Sequence, residues 1–209
     1  MKPRQLFDRY FRECPLVAII RGVTPSDAAG IGRAIFDGGI RIIEVPLNSP
    51  DPFDSIAGIA KTLGDEALVG AGTVLDPADV AKVKNAGGRI IVSPNMNPDV
   101  IRATAEAGLI SSPGIFTPTE AFTALDCGAH ALKLFPAEAA SPKVVRAIRA
   151  VLPKDLPLIV VGGVTPESIL RWMEAGADGF GLGSGLYQPG QSAEITASHA
   201  RAYVEALRK

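Results

Sequence analysis

The sequence predicts an α/β fold, a single (β/α)8 TIM barrel with a short extra N-terminal helix, and three observations predict it. A favoured N-cap residue followed by proline recurs seven times, several of the stretches that follow end near a glycine, and short apolar runs come between them. Proline at the first helical position gives up an N–H that would be unpaired anyway and brings a preset φ, so each such pair marks a helix start. A glycine at the far end supplies the positive φ of a helix C-cap. Apolar runs without alternation are what strands covered on both faces look like, as in a parallel sheet wrapped by helices.

Taken in order, Met1 to Glu13 alternates charges with Leu6, Phe7, Tyr10 and Phe11 and reads as an amphipathic helix, with residues 1–14 preceding the barrel. The first strand is Leu16–Ile20. Thr24-Pro25 starts a helix that ends near Gly38, and Ile40–Val45 is the second strand. Ser49-Pro50 starts the next helix, ending near Gly64, before the strand Ala67–Ala71. Asp76-Pro77 and Gly87 bracket a helix before Arg89–Ser93, and Asn97-Pro98 and Gly108 bracket another before Leu109–Ser112. Thr117-Pro118 leads to Gly128 and the strand Ala129–Phe135. Ser141-Pro142 precedes Leu158–Val161, Thr165-Pro166 leads to Gly176 and Asp178–Leu182, and a last helix covers about Ala193 to Leu207. The units recur about every 20 to 27 residues, and eight of them close naturally into a barrel. An open doubly wound sheet is the alternative; the even spacing and the lack of Gly-x-Gly-x-x-Gly after the first strand weigh against it.

A chain of 209 residues, 47% hydrophobic, is long enough for one large core and short for two, so residues 1–209 are expected to form one domain. With 21% charged residues and a net charge of -1, no positive field is available for nucleic acid or an anionic membrane surface. No apolar stretch approaches the roughly 18 residues of a spanning helix, and the N-terminus lacks a signal-peptide core, which points to the cytoplasm. Cys14 and Cys127 are read as packed thiols. With only His130 and His199, a histidine-built metal site is not expected.

Catalytic groups of a barrel stand at the C-terminal ends of its strands, so a charge that interrupts an apolar run there is informative. In Ala131-Leu132-Lys133-Leu134-Phe135, period two turns both leucines toward the helices and Lys133 toward the interior. Burial disfavours the ammonium form and supplies the neutral amine that attack on a carbonyl requires. Glu44, in Ile42-Ile43-Glu44-Val45-Pro46, lies on a strand of the same parity across the barrel and can meet Lys133 inside. The bland alternative is a structural ion pair, whose desolvation can exceed its Coulombic gain.

Gly162-Gly163 after the seventh strand, and Gly183 and Ser184 after the eighth, stand in the two loops that commonly hold phosphate in barrels, although glycines there also simply make tight turns. Arg21 and Thr73 end the first and third strands and suit a substrate carboxylate, against a surface ion pair and a helix-start hydroxyl as ordinary alternatives. Pro94 and Phe135 shape the pocket floor or merely pack.

Ile43-Glu44-Val45, Gly70-Ala71-Gly72-Thr73-Val74-Leu75, Val92-Ser93-Pro94, Lys133-Leu134-Phe135-Pro136-Ala137-Glu138 and Gly162-Gly163-Val164 carry a resemblance that covers nearly the whole chain. In order and spacing they resemble the 2-keto-3-deoxy-6-phosphogluconate and 6-phosphogalactonate aldolases, a family of pyruvate-dependent Schiff-base enzymes. The resemblance implies Lys133 as the Schiff-base lysine and Glu44 as the general acid/base. It places Arg21, Thr73 and Pro94 around pyruvate and Gly162, Gly163, Gly183 and Ser184 at the phosphate. It implies no cofactor beyond the covalent Schiff base, a phosphorylated keto sugar acid cleaved to pyruvate and glyceraldehyde 3-phosphate, and a homotrimer, for which Phe116 and Phe122 supply apolar surface.

The gluconate branch of that family has Arg-Thr after the second-strand motif and threonine before the paired glycines. Here stand Pro46-Leu47-Asn48-Ser49-Pro50 and Val161, which look like the galactonate branch. Without a hydroxyl at residue 161 the galacto epimer fits better, and this implies a place in galactonate catabolism; activity on the gluco epimer or on both is the alternative. Two other readings differ in kind. In one, another phosphate-binding barrel enzyme uses Lys133 only electrostatically, and in the other a silent sugar-phosphate binder or assembly subunit binds without turnover.

Overall fold

In the computed structural model, which describes residues 3–208, each of the eight expected strands forms as a single segment, and a further two-residue strand follows the fifth across Pro113. The strands are β1 (Leu16–Ile19), β2 (Ile42–Pro46), β3 (Leu68–Gly72), β4 (Ile90–Val92), β5 (Ile110–Ser112), β6 (Gly114–Ile115), β7 (Leu132–Leu134), β8 (Leu158–Val161) and β9 (Gly179–Leu182). All neighbours are parallel, in the order β5-β4-β3-β2-β1-β9-β8-β7-β6. The two ends of that order are one stretch of chain interrupted at Pro113, which has no N–H for a ladder. Ser111 accepts from the His130 N–H at 2.9 Å, and the Pro113 carbonyl accepts from the Lys133 N–H at 2.9 Å. One chain segment thus pairs with β4 on one edge and β7 on the other, and the barrel closes.

The helices are α1 (Pro3–Glu13), α2 (Pro25–Asp37), α3 (Pro52–Leu63), α4 (Ala78–Asn85), α5 (Pro98–Glu106), α6 (Pro118–Asp126), α7 (Pro142–Arg149), α8 (Ile169–Met173) and α9 (Ala193–Ala206). Met1, Lys2 and Lys209, which the sequence reading includes in the first helix and the domain, lie outside the described residues. Thr24, Asn97, Thr117 and Ser141 sit at the N-caps expected of them, and Thr117 with Glu120 forms a full capping box. Three starts differ. Thr165-Pro166 opens a single 3-10 turn, Pro166–Ser168, before the short α8, and α4 begins one residue after Pro77.

The third difference bears on the site. Ser49-Pro50 does not start α3, which begins at Pro52 after Asp51. Ser49 is used elsewhere: its hydroxyl accepts the Gly22 N–H at 2.9 Å and ties the loop after β2 to the loop after β1. At the C-cap of α2 the positive φ falls on Gly39 (108°), not on Gly38 (-72°).

Strand alternation divides the core. Leu16, Ala18, Ile20, Ile43, Val45, Leu132, Leu134, Leu158 and Val160 pack outward against the helices. Val17, Ile19, Ile42, Leu68, Ile90, Val92, Ile110, Ala131, Ile159 and Val161 fill the interior. Leu6, Phe7 and Tyr10 of α1 join this inner cluster, so the helix plugs the N-terminal mouth of the barrel, with Arg4–Asp8 and Arg9–Glu13 pairs on its exposed side. With that mouth filled, the interior opens at the C-terminal ends of the strands.

Candidate active site

A cavity of about 550 Å³ opens at those strand ends. Arg21, Thr73, Pro94, Lys133, Phe135, Val161, Gly162, Gly163, Gly183 and Ser184 all line it, so every candidate for substrate contact from the sequence reaches one space. Glu44 lies just below, on a small void it shares with Lys133 and Val161.

Glu44 and Lys133 are the charged residues buried in the barrel, 1% and 7% exposed. Glu44 continues the inward positions of β2 after Ile42, and Lys133 stands between Ala131 and Phe135 on the inward side of β7. Among the described residues no direct ion pair joins them, and Glu44 Oε2 is buried without a hydrogen-bond partner. A buried carboxyl oxygen left unpaired is costly, which favours a functional over a purely structural role. Gly72 explains the space: a Cβ there would collide with the Glu44 carboxylate.

Burial dominates the electrostatics of both groups. Removal from water pushes the Glu44 carboxyl up to about 7, against the opposing pull of Lys133 and Arg21. The Lys133 ammonium is likewise driven below its usual range by burial, assisted by Arg21 and opposed by Glu44. Its Nζ stands 4.7 Å from the centroid of the Phe135 ring. One group can hold or release a proton near neutral pH, and the other is biased toward the free amine.

Arg21 leaves the end of β1 and reaches across the cavity mouth. One Nη donates to Asn48 Oδ1, and the other lies 3.4 Å from Thr73 Oγ1. Thr73 has φ 54°, a left-handed conformation that is uncommon for a β-branched residue. Backbone held this way at a cavity wall is a mark of a functional position.

The phosphate candidates separate into two kinds. Gly162 and Gly163 have φ 118° and 60°, and a Cβ on Gly162 would strike the Glu138 carboxylate, so folding alone accounts for both. Gly183 has neither reason: its φ is unremarkable and a Cβ would meet nothing within 4 Å. The Leu186 and Tyr187 N–H groups turn back onto the Gly183 carbonyl at 2.9 and 3.1 Å. Among the described residues no protein group takes the N–H of Ser184 or Gly185, so this turn offers free donors to an anion.

Asn48, Glu138, Tyr187 and Gln188 also stand at the site and were not picked out individually from sequence. Among the described residues no group of three or more His, Cys, Asp or Glu side chains is placed to hold a metal, and no helix is long and apolar enough to cross a membrane.

Residues 7–198 match the family described as KDPG and KHG aldolase. A 2-dehydro-3-deoxy-6-phosphogalactonate aldolase of Escherichia coli (strain K12) is 49% identical over 195 residues, covering 93% of this chain and 95% of the relative. A solved structure described as native KDPGal superposes with TM-score 0.92 at 48% identity, over 94% of this chain and 95% of that one. A KDPG aldolase from Legionella pneumophila, solved with pyruvate captured as a covalent carbinolamine, has TM-score 0.84 and 25% identity, with 98% of each chain covered.

Proposed function

The chain belongs to the KDPG and KHG aldolase family, and from that premise we propose that it is a Schiff-base aldolase cleaving 2-dehydro-3-deoxy-6-phosphogalactonate to pyruvate and glyceraldehyde 3-phosphate. The observation that carries this reading is the pair of buried charges in an otherwise apolar barrel, one a lysine biased toward the amine and the other a carboxyl that titrates near 7.

Lys133 Nζ attacks the C2 ketone to give a carbinolamine. Glu44 protonates its hydroxyl, water leaves, and the resulting iminium draws electrons toward C2. Loss of the C4 hydroxyl proton to Glu44, directly or through a water, lets the C3–C4 bond break. Its electron pair forms the pyruvate enamine, and glyceraldehyde 3-phosphate departs. Glu44 returns a proton to C3, and water releases pyruvate from Lys133. The iminium is the electron sink, so neither a metal nor another cofactor enters these steps. Arg21 and Thr73 hold the carboxylate, with Pro94 and Phe135 confining pyruvate. The phosphate lies against Gly162, Gly163, Gly183 and Ser184, where Gly183 leaves room and the next turn offers N–H groups. Exposed Phe116 and Phe122 suit the apolar contact of a homotrimer.

Borohydride added with pyruvate should reduce the iminium and leave a stable adduct on Lys133, read by peptide mass. Activity lost to a chelator with no adduct formed would overturn the mechanism.

Val161 supports the choice of epimer. It lies inward, 6% exposed, and Gly181 makes room for it: a Cβ there would meet Val161 Cγ2 at 2.6 Å. An apolar group in this place gives the gluco-configured C4 hydroxyl no partner. Val161→Thr has nearly the same shape and adds one hydroxyl, so it should move the ratio of kcat/KM for the two C4 epimers toward gluco by about tenfold or more. An unchanged ratio would remove residue 161 from the account of specificity.

A further inference from the structure

We propose that Asn48 is a positioning residue, holding the Arg21 guanidinium across the cavity mouth in the orientation that receives the substrate carboxylate. The proposal rests on the reading of Arg21 as the carboxylate anchor. An arginine side chain has many rotamers and loses that freedom when fixed, so an anchor at an open mouth needs something to hold it before substrate arrives. Asn48 Oδ1 accepts from one Nη of Arg21, while the other Nη is 3.4 Å from Thr73 Oγ1. The guanidinium is thereby stretched between the loop after β2 and the end of β3.

Asn48 is itself fixed by its neighbours. Leu47 N–H donates to the Gly72 carbonyl at 2.8 Å, Ser49 N–H donates to the Pro46 carbonyl at 2.9 Å, and Ser49 Oγ accepts the Gly22 N–H at 2.9 Å. The last bond links the residue after Asn48 to the residue after Arg21, so the two partners share one local frame. This is also the use of Ser49 that moves the start of α3 two residues onward.

The choice of an amide over an acid has a consequence. A carboxylate at residue 48 would hold Arg21 equally well but would offset its charge, whereas an amide oxygen leaves that charge for an incoming anion. The same charge bears on the buried pair, favouring proton loss from both Glu44 and Lys133. A displaced Arg21 therefore alters the pH profile as well as binding.

The test is a double-variant cycle on this 209-residue chain, with cleavage kinetics across pH and thermal unfolding for Asn48→Ala, Asn48→Asp, Arg21→Ala and Arg21→Ala/Asn48→Ala. Asn48→Ala should raise KM about three- to tenfold with a smaller effect on kcat, as expected for an exposed hydrogen bond to a charged group. Arg21→Ala should raise KM further, and the double variant should match Arg21→Ala within about twofold, since Asn48 acts only through Arg21. Asn48→Asp should bind substrate less well than wild type although it keeps the acceptor. Asn48 effects that add fully to those of Arg21→Ala, or a fall in unfolding temperature with KM unchanged, would overturn the role of Asn48 and leave Arg21 as anchor. A KM that Arg21→Ala does not move would overturn the anchor reading itself, and the role of Asn48 with it.

Discussion

Lys133→Met is expected to lower kcat for aldol cleavage by at least about 10⁴-fold while leaving the folded protein at least as stable as wild type at neutral pH. The first effect follows because among the described residues no other lysine is buried in the interior, and without the iminium the C3–C4 bond has no electron sink. The second follows from burial. Lys133 is 7% exposed, pairs directly with no carboxylate among the described residues, and has its ammonium form disfavoured by desolvation. Methionine keeps most of the volume and removes the charge, and apolar replacements of buried charges are often neutral or stabilising. Glu44, losing the charge that pulls its pKa down, stays protonated to higher pH, so no bare carboxylate is stranded beside the methionine. Turnover and unfolding temperature measured on one preparation decide the matter. Activity within tenfold of wild type would mean that Lys133 acts only through its charge, as in other phosphate-binding barrels. A large loss of stability would mean that it is a structural residue.

What could be read from sequence depended on contrast. Lys133 and Glu44 stood out because each interrupts an apolar strand, and strand parity alone placed them on the inward face where the fold puts them. Asn48, Glu138, Tyr187 and Gln188 are ordinary residues in their loops, and only closure of the barrel brings them to the cavity. Thr73 illustrates a second limit. Its φ of 54° is imposed by its surroundings, and threonine has no intrinsic preference that would announce it. The differences in the fold were local. A short extra strand, β6, follows Pro113 where the sequence pattern ended one at Ser112, and Ser49 caps no helix because its hydroxyl is taken by the Gly22 amide. Neither displaced a site residue, since the inward and outward assignment of each strand depends on period two and not on where its ends fall.

Glu44→Gln should lower kcat by about 10²- to 10⁴-fold, the range for a lost general acid/base, and should slow proton exchange at C3 of bound pyruvate much more than it weakens pyruvate binding. It should also change how stability depends on pH. The ordinary carboxyl titrates near 4.5, and burial raises Glu44 to about 7. Between those values the folded chain keeps a proton that the unfolded chain releases. The stability this contributes is therefore fully present below about pH 4.5 and is lost as pH rises through about 7. Glutamine does not ionise and escapes that loss. The variant should gain on wild type between pH 5 and pH 8 by something on the order of 2 to 3 kcal/mol, read from urea midpoints at constant m. Only the slope carries meaning, because an unpaired amide N–H in the space beside Gly72 adds a constant offset at every pH. A gap that stays flat from pH 5 to 8 would show a carboxylate already ionised in the folded state. Such a group could not donate the proton that carbinolamine dehydration and enamine protonation require, so a stability measurement without substrate bears directly on the catalytic role.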